Sequence, residues 1–162
     1  MPIFWLGKVG VLVMTDLGSV FTDLVRLEIE LWNAVDARLK NDFDLQLTHF
    51  EPMSVIHRVP GCRVYDIANE LIITTGGASK LVDRIEANGY CRRRPNPADR
   101  RSSLVELTAT GEGLLAQASV AVEEELARRL GSVLPEGTLR QFAGTLARLR
   151  AAGPGAAHEA TA

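Results

Sequence analysis

The sequence predicts a mainly α-helical fold with one small antiparallel β-hairpin, and three observations support it. Apolar residues recur at steps of three and four in several long segments, which is the period of amphipathic helices. An extended segment and an alternating segment flank a turn cluster rich in proline, which indicates a hairpin. The chain has 162 residues, 46% of them hydrophobic, which suffices for one domain with appended helices but not for two independent cores.

The first half of the chain predicts two helices. The first carries an apolar stripe from Leu17 to Leu39, with charged residues on the opposite face. The second covers residues 48–57 and ends at the breakers in 59–61. Both are amphipathic, so each is expected to bury one face.

A pair of short helices and a hairpin follow. Residues 62–64 are a brief candidate strand, and 65–71 a short helix. The hydroxyls of Thr74 and Thr75 can cap the next helix, and Gly89 can end it in the left-handed conformation. Tyr90-Cys-Arg-Arg-Arg94 and Leu104-Val-Glu-Leu107 are the predicted strands of the hairpin.

Two more helices complete the pattern. One begins after Thr108 and runs to Gly131, and the other begins at Pro135 and turns Leu139, Phe142, Leu146 and Leu149 inward. A helix-turn-helix followed at once by a hairpin is the winged helix-turn-helix arrangement. The terminal helices carry more apolar surface than so small a domain needs, so we expect them to form a dimer.

These patterns divide the chain into five parts. The opening is apolar but shorter than the roughly 20 residues that span a bilayer, and it lacks the pattern of a signal peptide. If translation starts at Met14, this opening is an artefact of the start site. The parts are an N-terminal extension (1–14), an N-terminal dimerisation helix (15–45), a winged helix-turn-helix domain (46–112), C-terminal dimerisation helices (113–150) and a disordered tail (151–162).

Four segments together resemble the MarR family of transcriptional regulators. They are Arg63 to Leu71, Thr74 to Gly89, Asp99-Arg100-Arg101 and Leu107-Thr108, and the resemblance extends over about residues 45–115. It implies a cytoplasmic homodimer that binds a pseudo-palindromic operator in double-stranded DNA. It further implies a repressor that a small aromatic or amphipathic effector can release from DNA, with no membrane partner.

The second helix of a helix-turn-helix places its N-terminal residues at the base edges of the major groove. Glycines allow a close approach there, and hydroxyls and lysine can contact phosphate or bases. The alternative is an ordinary capped helix with solvated polar side chains. The candidate DNA-binding residues of this helix are Thr74, Thr75, Gly76, Gly77, Ala78, Ser79, Lys80 and Arg84.

The hairpin concentrates arginines, and their alternation places Arg92 and Arg94 on one face and Arg93 on the other. Such a tip suits the narrow minor groove, where negative potential is strong. The resemblance assigns groove insertion to Arg101, with Asp99 and Arg84 as candidates for fixing it; the choice between Arg100 and Arg101 stays open. A solvated basic turn is the alternative. The candidate wing residues are Arg92, Arg94, Asp99, Arg100 and Arg101.

An effector pocket is a further expectation. The candidate lining residues are Trp32, Phe50, Met53, His57 and Arg58, of which the last two are suited to a ligand carboxylate. Aromatic and methionine side chains at helical spacing are also typical of an ordinary core.

Metal and redox chemistry have weaker support. His49, Glu51, His57 and Cys62 match no zinc pattern, so we expect neither a metal nor a cofactor. Cys62 and Cys91 are expected to be small buried core residues without a disulfide between them. A metal-sensing or redox-sensing variant of the same regulator stays open.

Composition and motifs also bear on other classes of function. The net charge is −2, so the chain is not a general polycation, and its positive charge is concentrated in the middle as arginine. We expect no enzyme, because the sequence contains no nucleophile elbow and no phosphate-binding loop. A helical protein-interaction module is the alternative class, but it leaves the arginines of the hairpin unexplained.

Overall fold

A computed structural model describes residues 16–99 and 101–152 and confirms the predicted fold class. The apolar extension, the candidate start at Met14, Arg100 and the tail from residue 153 lie outside the described residues. The elements are α1 (Leu17–Phe43), α2 (Leu47–Arg58), α3 (Val64–Glu70), α4 (Thr75–Ala87), β1 (Cys91–Pro95), β2 (Ser103–Leu107), α5 (Ala109–Leu126), a π-helical segment (Ala127–Gly131) and α6 (Glu136–Ala151).

Side-chain caps begin the helices where the hydroxyl residues predicted them. The Thr74 hydroxyl accepts a hydrogen bond from the amide of Gly77 at 3.1 Å and begins α4. The Thr108 hydroxyl accepts one from the amide of Gly111, also at 3.1 Å, and begins α5. Gly89 has φ +76°, which confirms the left-handed stop after α4.

The hairpin is a two-stranded antiparallel sheet in which β1 and β2 pair along their whole length. The brief strand expected at residues 62–64 is reduced to one isolated bridge between Arg63 and Leu104. It cannot be longer, because α3 already begins at Val64. The bridge still holds the start of α3 against the base of the hairpin.

The core lies where α2, α3, α4, the hairpin and α5 meet the second half of α1. Its side chains with at most 2% exposure include Leu39, Met53, Ile67, Ile85 and Val105, which come from five different elements. Each predicted amphipathic segment of the winged domain therefore contributes to a single core. This core sets the positions of α4 and the hairpin relative to each other.

The terminal helices leave most of their apolar surface uncovered in the single chain. α1 buries only Val35 and Leu39, whereas Leu17 is 72% and Phe21 68% exposed. The predicted inward stripe of α6 is only partly covered in one chain: Leu139 and Phe142 are half-buried, but no residue of α6 is fully buried and Leu149 is 61% exposed. α1 and α6 therefore expose more apolar surface than a single chain can cover.

The turn between α3 and α4 is conformationally unfavourable. Ile72 has φ +54°, a left-handed conformation that costs an L-residue about 1–2 kcal/mol, and its side chain is 86% exposed. The amide of Ile73 donates to the carbonyl of Ala68 at 3.0 Å and closes the turn. The packing of α3 against α4 imposes this geometry, since the local sequence does not favour it.

The hairpin joins α5 at a close backbone approach. A Cβ added at Gly111 would lie 1.9 Å from the carbonyl oxygen of Tyr90, so only glycine fits there. That carbonyl accepts a hydrogen bond from the Thr108 amide at 3.0 Å, and the Thr108 hydroxyl donates to Gly89 at 2.7 Å. The end of α4, the start of β1 and the start of α5 are thus joined at one point.

Replacing Gly111 with alanine should lower the free energy of unfolding by about 3 kcal/mol, because backbone atoms must move to admit the methyl group. Gly113 in the same helix is the matched control, since nothing lies within 4 Å of its added Cβ. Gly113→Ala should stabilise the protein by up to about 1 kcal/mol. Urea unfolding at one protein concentration measures both, and equal stability of the two variants would contradict the packing described.

Candidate nucleic-acid interface

The first turns of α4 present small and polar side chains to solvent. Thr75, Gly76 and Lys80 are exposed, and Ser79 is half-buried. Ala78 is a correction to the predicted set, because it is fully buried in the core and its side chain is unavailable to DNA. It lies on the inward face of an amphipathic helix, whose opposite face is the candidate contact surface.

The tip of the hairpin is a set of interlocking turns. The side chain of Asn96 accepts from the amide of Ala98 at 3.0 Å and donates to the hydroxyl of Ser102 at 2.8 Å. The carboxylate of Asp99 accepts from the amide of Arg101 at 2.9 Å. Asp99 therefore positions the backbone of Arg101, while the Arg101 side chain is exposed.

Arg84 is not part of this tip. Among the described residues, no hydrogen bond or ion pair connects Arg84 with Asp99. The positive charge of Arg84 acts instead on His49 of α2, whose pKa is lowered first by burial and then by this charge. The negative charge of Asp99 acts on Arg63 at the start of α3. The suggestion that Arg84 also fixes Arg101 is therefore not supported.

Arg92 and Arg94 share one face of β1, as their alternation predicts. Both pair with Glu106 on β2: Arg94 at 3.0 Å, and Arg92 more loosely at 3.5 Å. Hydrogen bonding to Arg94 is the main reason that the pKa of Glu106 is lowered. This face of the hairpin holds two guanidinium groups and one carboxylate, so it keeps a net positive charge.

Arg93, on the other face of β1, connects the hairpin to α4. Its guanidinium pairs with Glu86, pairs with Asp83 at 2.7 Å, and lies 3.4 Å from the carbonyl oxygen of Ser79. Its backbone amide also donates to Glu86 at 2.8 Å. The Arg93 clamp, defined as Arg93 with Asp83, Glu86 and Ser79, therefore sets the position of the hairpin relative to α4.

The hairpin and the N-terminal ends of α3 and α4 enclose a polar notch of about 350 Å³. Three arginines and several hydroxyl groups line it, and no carboxylate belongs to its described wall. Such a surface suits a phosphate group. The residues of this wing notch are Arg63, Val64, Tyr65, Thr75, Ser79, Arg93, Arg101, Ser102 and Ser103.

Of the nine residues of the wing notch, the sequence predicted only Thr75, Ser79 and Arg101 as DNA contacts; Arg63 and Tyr65 are among the six that it did not predict. The carboxylate of Asp66 accepts hydrogen bonds from the Arg63 amide at 2.8 Å and its Nε at 3.2 Å, so Arg63 is held at the mouth of the notch. Tyr65 is 58% exposed beside it. An arginine followed three residues later by aspartate at a helix start was the available signal.

The five residues predicted to line an effector pocket are not brought together. Phe50 and Met53 are buried in the core. His57 pairs with Glu112 at 2.9 Å and Arg58 with Glu70 at 2.6 Å, both on the exposed surface. Of the five, only Trp32 lines an apolar cavity between the helices.

That interhelical cavity has a volume of about 470 Å³ and lies between α1, α2, α5, the π-helical segment and α6. Its wall is apolar except for two glutamates. The lining residues are Leu24, Leu27, Glu28, Leu31, Trp32, Val35, Leu47, Glu51, Val122, Leu126, Leu130, Phe142 and Leu146.

The described residues form neither a metal-binding cluster nor a reactive thiol site. No three His, Cys, Asp or Glu side chains among residues 16–99 and 101–152 are grouped to hold a metal ion. Cys62 and Cys91 are buried and free, as predicted, and burial raises the pKa of each thiol to about 11. Both are therefore poor nucleophiles. No helix in the described ranges is long and apolar enough to cross a membrane.

Comparison with known proteins gives consistent matches. Residues 45–103 match the model of the MarR family. The multiple antibiotic resistance protein MarR of Escherichia coli (strain K12) is 25% identical over 123 residues, which cover 72% of this chain and 85% of that protein.

Solved structures share the fold. The transcriptional repressor CouR bound to a 23-mer DNA duplex superposes with a TM-score of 0.75 at 25% identity, covering 87% of this chain and 99% of CouR. CouR from Rhodococcus jostii RHA1 is also known bound to p-coumaroyl-CoA. Sco3205, a MarR family regulator from Streptomyces coelicolor in complex with DNA, has a TM-score of 0.77 at 18% identity and covers 90% of this chain and 92% of its own.

Removing the Arg93 clamp should loosen the hairpin. We expect Arg93→Met to lower the free energy of unfolding by about 1–2 kcal/mol, because Asp83 and Glu86 lose their partner. Arg92→Met is the matched control: its side chain is 61% exposed and the ion pair it forms with Glu106 is long, so the change should stay within about 0.5 kcal/mol. Urea unfolding measures both values. A loss in the control as large as in Arg93→Met would contradict the clamp.

Proposed function

We propose that the protein is a MarR-type transcriptional regulator that binds a pseudo-palindromic DNA operator as a homodimer; the match of residues 45–103 to the MarR family model supports this proposal. The observation that carries the proposal is the wing notch, where the exposed start of α4 and an arginine-bearing hairpin are held together by the Arg93 clamp. These are the two surfaces with which a winged helix meets DNA.

In the proposed complex, the start of α4 lies in the major groove. Thr75, Gly76, Ser79 and Lys80 face the bases and the adjacent phosphates, since they occupy the outward face of the helix. Gly76 has open space around it, which leaves room for a close approach of the backbone. Thr74 and Gly77 act through the cap that orients this helix start.

The hairpin is proposed to enter the minor groove. Arg101 is the residue we assign to the groove, because Asp99 holds its backbone while its side chain is exposed. Arg92 and Arg94 contribute positive charge near the phosphates. Arg63 and Tyr65 extend the phosphate-binding surface from the wing notch onto α3.

The dimer is proposed to form through α1 and α6. Their uncovered apolar faces, with Leu17, Phe21 and Leu149 more than half exposed, are unsuitable for a monomer in water. A two-fold dimer presents two α4 helices to two half-sites, which explains why the operator would be pseudo-palindromic. We propose repression as the regulatory mode, by analogy with the repressor CouR.

We also propose that an effector can release the protein from DNA. CouR has been solved in two separate complexes, one with DNA and one with p-coumaroyl-CoA. A ligand in the interhelical cavity of this protein would release DNA if it binds better to a dimer whose α4 helices have the wrong spacing. We place the protein in the cytoplasm with its DNA and assign it no catalytic activity.

Fluorescence anisotropy on DNA from immediately upstream of the gene tests the proposal, with an unrelated duplex of equal length beside it. We expect tighter binding to the upstream DNA, and an affinity that falls as salt rises, because phosphate contacts release counterions. Equal and feeble binding to both duplexes and to a wider duplex library would favour a helical protein-interaction module instead. The apolar faces of α1 and α6 are also consistent with that function.

Arg101→Ala should weaken operator binding by about 1–3 kcal/mol per protomer, because the wing loses its groove contact. Arg58→Ala on α2 is the control, since that arginine pairs with Glu70 on the exposed surface and lies outside both the wing notch and the proposed dimer helices. The control should bind like the unaltered protein on the same duplex. Unchanged affinity of Arg101→Ala would refute the wing assignment.

A further inference from the structure

The charged residues in the described wall of the interhelical cavity are all acidic. Eleven of its thirteen described lining residues are apolar, and the other two are the carboxylates Glu28 and Glu51. No lysine, arginine or histidine belongs to that wall. An aromatic acid would find apolar contacts there but no cation for its carboxylate.

Glu51 is the more enclosed carboxylate. It lies on α2 and is half-buried, and its carboxylate makes no hydrogen bond or ion pair with any other described residue. The cation whose charge acts on it, Arg58, is itself held by Glu70 at 2.6 Å on the outer surface. Burial raises the pKa of Glu51, and the charge of Arg58 only partly opposes this effect. A carboxylate in such surroundings is stabilised by a cation that arrives from the cavity.

Aromatic side chains in the same wall favour the same class of ligand. Trp32 of α1 is 40% exposed and Phe142 of α6 is half-buried, and both line the cavity with Glu51. The faces of aromatic rings attract organic cations, most strongly where water is excluded. Carboxylate, aromatic rings and aliphatic walls together form the usual surroundings of a bound lipophilic cation.

We infer that the interhelical cavity binds a lipophilic organic cation, whose charge pairs with Glu51 and Glu28 and whose apolar groups pack against the helices. Its volume of about 470 Å³ is within the range of pockets for small organic ligands. That the cation acts as the effector rests on the proposed regulatory function; that the cavity prefers cations does not. A preference for cations is the opposite of what the sequence predicted, which was a ligand that carries a carboxylate.

The test compares two ions of similar size and opposite charge, tetraphenylphosphonium and tetraphenylborate, by isothermal titration calorimetry on the full chain without DNA. We expect the phosphonium to bind about tenfold more tightly, or better, because only it gains a charge-assisted contact. Equal affinities, or tighter binding of the borate, would overturn the inference. Binding of neither ion would also overturn it and would indicate that a second copy of the chain fills the cavity.

Substitution locates the bound charge. Glu51→Gln should weaken phosphonium binding about tenfold and leave borate binding unchanged or improved. Glu123→Gln is the matched control, because Glu123 is exposed on α5 and outside the cavity wall. Glu28→Gln provides a second variant, with a smaller expected loss since Glu28 is more exposed. Phosphonium affinity unaffected by both cavity variants would refute the assignment.

Adding each ion to the protein–operator complex separates this inference from the proposed function. Release of DNA by phosphonium but not by borate supports both. Tight phosphonium binding by a protein that recognises no DNA supports the cation site and refutes the regulator. Operator binding by a protein that does not prefer the phosphonium supports the regulator and refutes the cation site.

Discussion

The guanidinium of Arg93 holds the hairpin against α4 through Asp83, Glu86 and the carbonyl of Ser79, and the candidate DNA-binding surface depends on this contact. A two-stranded hairpin is at best marginally stable by itself, so it needs packing or ion pairs to keep one orientation. The clamp satisfies two carboxylates of α4 at the same time. Because Arg93 points toward α4, the opposite face of β1 points away from it, and there Arg92 and Arg94 both pair with Glu106.

The same connection extends to the rest of the chain through the junction at Gly111. The Tyr90 carbonyl and the Thr108 side chain join the end of α4, the hairpin and the start of α5 without room for a side chain. α5 then leads through the π-helical segment to α6, none of whose residues is fully buried. In the proposed mechanism, a rearrangement of the terminal helices would reach α4 as a movement of these packed elements.

The interhelical cavity lies on this route, because α1, α5 and α6 contribute walls to it together with α2 of the winged domain. A ligand there can shift the spacing of two α4 helices only through a difference in affinity between the two arrangements. Glu51, on α2, and Trp32, on α1, stand on elements that such a shift would move relative to each other. The proposed release of DNA therefore depends on how the chemistry of the cavity differs between the two arrangements.

The sequence by itself determined the order and type of the elements, the caps at Thr74 and Thr108 and the opposite faces of Arg92 and Arg93, because each depends on local periodicity, capping or alternation. It did not predict which polar residues would meet. The Arg93 clamp, the wing notch and a cavity with carboxylates join residues from separate elements. Helical spacing indicates that a face is buried but not which face opposes it, so Met53 became core and Glu51 cavity wall only through tertiary packing.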